Sequence, residues 1–189
     1  MPGDLGGFVY EWRHSRRLET VVNLLHGSHL LDIGCGHGRN MRYPTSKGVS
    51  VCGLDVSLNK LERARSALLE SGVYGLVDLV VADADEGLPF RDNAFGGVLD
   101  IFTFTFIKSK RRYLEEVSRI LKSEGLFLLE FDMSPHILSH EELRSFLELT
   151  NGLFNLVEMG EFYHEWGRIS NECKEEVPAV YAIGVKNLS

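Results

Sequence analysis

The stretch Leu30-Leu31-Asp32-Ile33-Gly34-Cys35-Gly36-His37-Gly38-Arg39-Asn40 constrains this chain more than any other. A short, almost unbroken apolar run carries one acid, Asp32, and leads into a stretch where glycines alternate with other residues. A run without a polar face reads as a strand buried on both sides, the mark of a parallel sheet. Alternating glycines reach backbone conformations closed to other residues and let a ligand approach the main chain closely. The expectation is an α/β protein whose first strand opens into a binding turn.

The rest of the chain repeats the alternation. Phe8, Trp12, Leu18, Val21, Val22 and Leu25 have helical spacing over 8–25, with His26-Gly27-Ser28 as the stop. This helix packs on the sheet edge or, with Tyr10 or Trp12 toward a ligand, forms a lid. Strands are predicted over 29–33, 49–54, 76–82, 95–101 and 126–131. Pro44 ends or kinks the short helix after the glycine turn. Ser57 caps a helix that stops at Gly72, with Leu58, Leu61, Ala64, Leu68 and Leu69 on one face. Gly96-Gly97 weakens the start of the fourth strand. A further helix covers 111–122. Ser139 and Glu142 make a capping box for a helix to Thr150. The runs 154–166 and 177–186 read as a closing antiparallel pair. These elements define one domain, 1–189, with an N-terminal helical segment (1–28), a core (29–132) and a closing part (133–189). The fold class is a doubly wound sheet of about seven strands, mostly parallel, with helices on both faces.

In such sheets ligands sit beyond the carboxyl ends of the strands. Asp32, Asp55, Asp83, Asp100 and Asp132 all fall at or near those ends, and their repetition along one edge predicts a site. An acid after the second strand suits ribose hydroxyls, which a carboxylate can bridge. The glycine run is GxGxG, so its third glycine comes one residue early for the dinucleotide fingerprint GxGxxG.

These residues resemble the class I S-adenosylmethionine-dependent methyltransferases of the type 11 branch. LDIGCGHGRN is similar to that family's first motif, and Gly53-Leu54-Asp55-Val56-Ser57 to its ribose motif. Ala82-Asp83-Ala84-Asp85-Glu86-Gly87-Leu88-Pro89-Phe90 resembles its adenine-side motif, and Arg119-Ile120-Leu121-Lys122 with Gly125 its approach to the fifth strand. The resemblance covers about residues 29 to 132. It implies a Rossmann-like sheet, S-adenosylmethionine as cofactor, and methyl transfer. Position by position, Asp32 would organise the glycine turn or reach the methionine ammonium. Gly34, Cys35 and Gly36 would face the amino-acid end. Asp55 would hold the ribose, Val56 would pack on the adenine, Asp83 would accept from its amino group with the Ala84 backbone N–H nearby, and the backbone around Asp100-Ile101 would line the methionine end. The branch usually has an acid where this chain has Gly96, a His near Phe106, and paired glycines where it has Glu124-Gly125.

Methyl transfer needs a base only if the acceptor must lose a proton. Asp132, His136 and His164 are the candidate bases, beside Glu165. His37 lacks a partner at metal-ligand spacing, so no metal is expected. Cys35 reads as a small fitted residue. Phe102, Phe104, Phe106 and Trp166 either pack the core or line an apolar acceptor pocket.

The net charge is −7, from 20 basic and 27 acidic residues, which argues against a general nucleic-acid binder. Two basic clusters stand at 13–17 and 108–112, and the second is the main support for RNA or protein as the rival acceptor. A small molecule is the expected acceptor, and a non-catalytic binder of the cofactor is the rival outside the enzyme class. Three cysteines without a CxxC pair, no signal-like N-terminus and no long apolar run predict a cytoplasmic chain away from membranes. The oligomeric state is left open.

Overall fold

The computed structural model describes residues 15–25, 27–132, 140–166 and 175–187. Among the described residues seven strands form one sheet: β1 (Leu30–Ile33), β2 (Val51–Asp55), β3 (Val77–Val81), β4 (Phe95–Ile101), β5 (Leu121–Asp132), β6 (Phe154–Trp166) and β7 (Glu175–Lys186). Their order is β3-β2-β1-β4-β5-β7-β6. The first five run parallel, β7 is antiparallel to β5, and β6 is antiparallel to β7. The helices are α1 (Arg16–Leu24), α2 (Arg42–Ser46), α3 (Leu58–Glu70), α4 (Lys110–Ile120) and α5 (His140–Thr150). The strand order reverses at β1, so its carboxyl end opens a crevice between two crossovers. The predicted class therefore holds: a mostly parallel, doubly wound, Rossmann-like sheet.

Alternation along the strands splits the core into two faces. Leu31, Ile33, Val98, Phe127 and Leu129 point toward Leu114, Val117 and Ile120 of α4 and Phe146 of α5. Leu30, Leu99 and Leu128 point toward Leu18, Val21 and Val22 of α1 and toward Leu61, Ala64 and Leu68 of α3. Burying one such side chain stabilises by about 1.5–3 kcal/mol. Local signals set the helix ends. The Arg17 N–H donates to Ser15 Oγ and the Lys60 N–H to Ser57 Oγ, each capping its helix. Gly72, with φ +73°, stops α3.

Several expectations change. Helix α1 starts at Arg16, and Tyr10 and Trp12 lie outside the described residues, as does the box at Ser139. Pro44 sits in the first turn of α2 rather than ending a helix, where its missing N–H forfeits no helical bond. Strand β5 begins at Leu121, earlier than predicted. Leu121 pairs with Phe95, the register shifts, and pairing resumes at Gly97 with Leu126. Glu124 lies in the irregular stretch at φ +60°, the left-handed region that the family's glycines would occupy without strain. Strand β4 is buried along its whole length, so Gly96-Gly97 is no weak point. A Cβ on Gly96 would lie 2.2 Å from Ser28 Cβ, and one on Gly97 would lie 2.9 Å from Leu25 and Leu30 side chains. The bare glycines let the chain entering β1 cross close over β4. Among the described residues no helix is long and apolar enough to cross a membrane.

Candidate cofactor site

Strand β1 delivers the chain to the crevice, and the glycine turn follows. Gly34 N–H and Cys35 N–H both donate to Leu54 O, at 2.7 and 3.0 Å, which ties the turn to β2. Gly34, Gly36 and Gly38 have φ of +68°, +54° and +81°. Gly34 is required twice over, because a Cβ there would lie 1.8 Å from Thr103 Oγ1. Gly36 has open space around it, its nearest neighbour being Gly34 O at 4.0 Å, and its N–H donates to Asp55 Oδ2 at 3.0 Å. The middle of the turn thus lies where a ligand can reach it. Cys35 is buried, and burial with the nearby Asp32 and Asp55 carboxylates pushes its thiol far above the usual range. It is a fitted residue, not a nucleophile: its Sγ and Met41 fill the space beside Gly53.

Asp55 ends β2, buried, and also accepts from Ser57 N–H at 2.9 Å through Oδ1. Each oxygen therefore has one lone pair used and one remaining. Val56 beside it is 65% exposed, an apolar side chain left bare at the edge. Asp83 is exposed beyond β3 and its Oδ1 accepts from Asp85 N–H, while Ala84 packs inward. Ile101 ends β4 and is buried on the α1 face.

Asp32 is 1% exposed, and its Oδ2 has no hydrogen-bond partner among the described residues. Burial pushes its pKa up to about 7; the Arg39 charge opposes that shift, and the Asp100 and Asp55 carboxylates add to it. An orphan buried carboxylate calls for a donor or a cation.

Asp100 departs from the row of acids. The β1–β4 register sets it beside Ile33, so it faces α4, whereas Asp32 pairs with Leu99 and faces α1. Its Oδ1 accepts from Thr103 N–H and Phe104 N–H, both at 2.9 Å, and its Oδ2 accepts from Tyr113 OH at 2.5 Å. Burial raises its pKa to about 6, against the pull of these donors and Lys110. It holds a turn and does not line the crevice.

Sequence reasoning missed a fourth buried acid. Glu130 on β5 is 2% exposed, in register with Ile101 on one side and Tyr181 on the other, toward the α1 face. Ser15 Oγ donates to its Oε1, and Arg17 Nη1 lies 3.5 Å from the same oxygen. The Arg17 guanidinium sits 4.0 Å from the ring centroids of both Phe162 and Tyr181. A carboxylate interrupting the apolar run Leu126–Phe131 was the signal available in the sequence.

Of the candidate bases, Asp132 and His164 lie on β5 and β6, with side chains outside the described set, and His136 lies outside the described residues. The predicted aromatic group divides. Phe104 is core, packed against Tyr113, Phe131 and Phe146, and Phe102 is half-buried near Phe162. Phe106 is 73% exposed, and the Trp166 side chain lies outside the described set. Three cations of the basic cluster after β4 are engaged within the chain. Lys110 binds Phe104 O and Ile107 O, Arg111 binds Glu115, Leu149 O and Asn151 O, and Arg112 binds Glu86 O.

The methyltransferase domain model matches residues 31–129, from the first strand through β5. An O-methyltransferase of Aspergillus sclerotiorum (resE) is 28% identical over 72% of this chain and 52% of its own length. The sarcosine/dimethylglycine N-methyltransferase of Halorhodospira halochloris is 37% identical over 53% of this chain and 36% of its own. The chain thus spans about half the length, or less, of these curated relatives. Among solved structures, a SAM-dependent methyltransferase from Methanosarcina mazei superposes with a TM-score of 0.71 at 21% identity, over 90% of this chain and 98% of that one. The sheet order and the glycine turn define the class I S-adenosylmethionine-dependent methyltransferase domain. This chain belongs to that family, and the family's cofactor is S-adenosylmethionine.

Proposed function

We propose that this chain transfers a methyl group from S-adenosylmethionine to a small-molecule acceptor. The observation that carries the reading is the orphan Oδ2 of Asp32 beneath the glycine turn, in line with Asp55 and Asp83 along one edge. A buried carboxylate without a donor fits a ligand that brings an ammonium or N–H group. Gly34, Cys35 and Gly36 present backbone to the amino-acid end. Asp55 offers its remaining lone pairs to the ribose hydroxyls, Val56 packs on the adenine, Asp83 accepts from the adenine amino group with the Ala84 backbone N–H nearby, and Ile101 closes the methionine end.

The cofactor's sulfonium supplies a methyl group that is already electrophilic. The chain's own work is then positioning, which can supply several kcal/mol by itself. A small acceptor is favoured because Lys110, Arg111 and Arg112 are committed to internal carbonyls and carboxylates, and because the net charge of −7 repels polyanions. The relative from Halorhodospira carries a small amine acid in its name, which supports the same class. A cytoplasmic location fits the three unpaired-motif cysteines.

Thermal shift tests the cofactor. S-adenosylmethionine and S-adenosylhomocysteine raise the melting temperature and NAD and NADP do not; stabilisation by the dinucleotides alone overturns the reading. Release of S-adenosylhomocysteine in an acceptor screen separates an enzyme from a binder, and turnover confined to RNA or protein acceptors removes the small-molecule assignment.

A further inference from the structure

The turn after β4, residues 102–106, is held down at several points. Phe102 adopts φ +70°, and its N–H donates to Glu130 O at 2.7 Å. Thr103 and Phe104 donate to Asp100 Oδ1. Lys110 Nζ donates to Phe104 O at 3.1 Å and Ile107 O at 2.7 Å. The face of the turn toward β1 carries the Thr103 hydroxyl, which donates to Ile33 O at 3.1 Å and fills the space a Gly34 side chain would need. The turn therefore bears directly on the first residue of the glycine turn.

Asp100 is 0% exposed and Tyr113 2%. Burying a carboxylate costs solvation, and three donors converging on it make one arrangement satisfactory and its neighbours poor. Tyr113 comes from α4, on the opposite side of the sheet from α1. Its hydroxyl thus connects the packing of α4, through Asp100 and the Thr103 backbone, to the height of the β4 turn above Gly34.

We infer that Tyr113, Asp100 and Thr103 are positioning residues for the methionine end of the cofactor site, Thr103 setting the separation between the β4 turn and the glycine turn. The inference rests on the cofactor reading above and assigns roles to Tyr113 and Thr103, which the family resemblance did not name.

Calorimetric titration with S-adenosylhomocysteine tests it. Tyr113→Phe keeps the ring and removes one O–H, and Thr103→Val removes the hydroxyl at constant shape. Each weakens binding about 5–20-fold, the range expected for a lost hydrogen bond transmitted to the ligand. Thr103→Ser, which restores the hydroxyl, recovers most of the loss. The double variant is weakened no more than about 2-fold beyond the worse single, because both act through one turn. Ile120→Val, a buried change elsewhere on α4, lowers stability and leaves affinity unchanged. If the wild type binds and the two singles bind equally well, or if their effects multiply, the inference is overturned. If Ile120→Val weakens binding as much as they do, the effect is general loss of stability and the inference fails. If the wild type does not bind, the cofactor reading falls and takes the inference with it.

Discussion

Gly34→Ala and Gly36→Ala make the same chemical change two residues apart in one turn, and the structure assigns them different costs. Both residues have positive φ, which costs an alanine about 1–2 kcal/mol. At Gly36 the added methyl meets nothing closer than 4.0 Å, so the conformational cost is the whole effect. At Gly34 the methyl would lie 1.8 Å from Thr103 Oγ1 and 2.9 Å from Thr103 Cβ. The Cβ contact means that rotating the hydroxyl away gives no relief, so the turn after β4 must lift. Lifting it breaks the Thr103–Ile33 bond, about 1 kcal/mol, and overpacks the joint by about 1–3 kcal/mol. The expected destabilisation is roughly 3–6 kcal/mol for Gly34→Ala against about 1–2 for Gly36→Ala. Urea denaturation monitored by two probes, so that two-state behaviour is checked, measures both. In a Thr103→Ala background, which removes the 1.8 Å contact and keeps the 2.9 Å one to Cβ, the Gly34→Ala penalty falls only part of the way toward that of Gly36→Ala. Equal costs for the two glycines in the wild-type background would refute the reasoning.

Further outcomes follow from other contacts. Asp55→Ala weakens S-adenosylhomocysteine binding by about 1–3 kcal/mol by calorimetry and also lowers stability, since Gly36 N–H and Ser57 N–H lose their acceptor. Asp32 has a folded pKa near 7, above its ordinary 3.8, so the native state holds the proton more tightly and stability falls as pH rises between those values. Asp32→Asn removes that share, and denaturation across about pH 4–7 finds a flatter profile than the wild type. Arg17→Ala, which removes the guanidinium lying over the Phe162 and Tyr181 rings and beside Glu130, lowers stability by roughly 1–2 kcal/mol in thermal melts. Arg17→Lys recovers under half of that, because a compact ammonium cannot cover two ring faces as a planar guanidinium does.

What the sequence revealed was local in origin. The glycine turn, the acid after β2 and the caps at Ser57 and Gly72 announce themselves within a few residues, and they stand in the structure where the pattern put them. Parity was not legible. Where a strand is buried on both faces, an acid at its end gives no hint of which face it takes, so Asp32 and Asp100 looked alike. The pairing register alone separates the one under the glycine turn from the one beneath α4. Arg17 meets Phe162 and Tyr181 across most of the chain, a juxtaposition no periodicity reports. Gly96 and Gly97 read as weak strand formers because the feature that explains them, the close passage of Ser28 and Leu25, lies far off in sequence. Glu124 kept a turn that glycine would make with less strain, and the kink hid the true start of β5.

The strand order carries a consequence for how the molecule comes to be assembled. Strand β6 touches the sheet through β7 alone, although β7 follows it in the chain. During synthesis, Phe154–Trp166 emerges with both of its edges open and stays so until Glu175–Lys186 slides in between it and β5. The late arrival closes two seams at once. Until then a 13-residue strand and the far edge of β5 are both available to other chains. Loss of β7 would therefore cost the sheet two strands, and would leave the far edge of β5 as a template for aggregation.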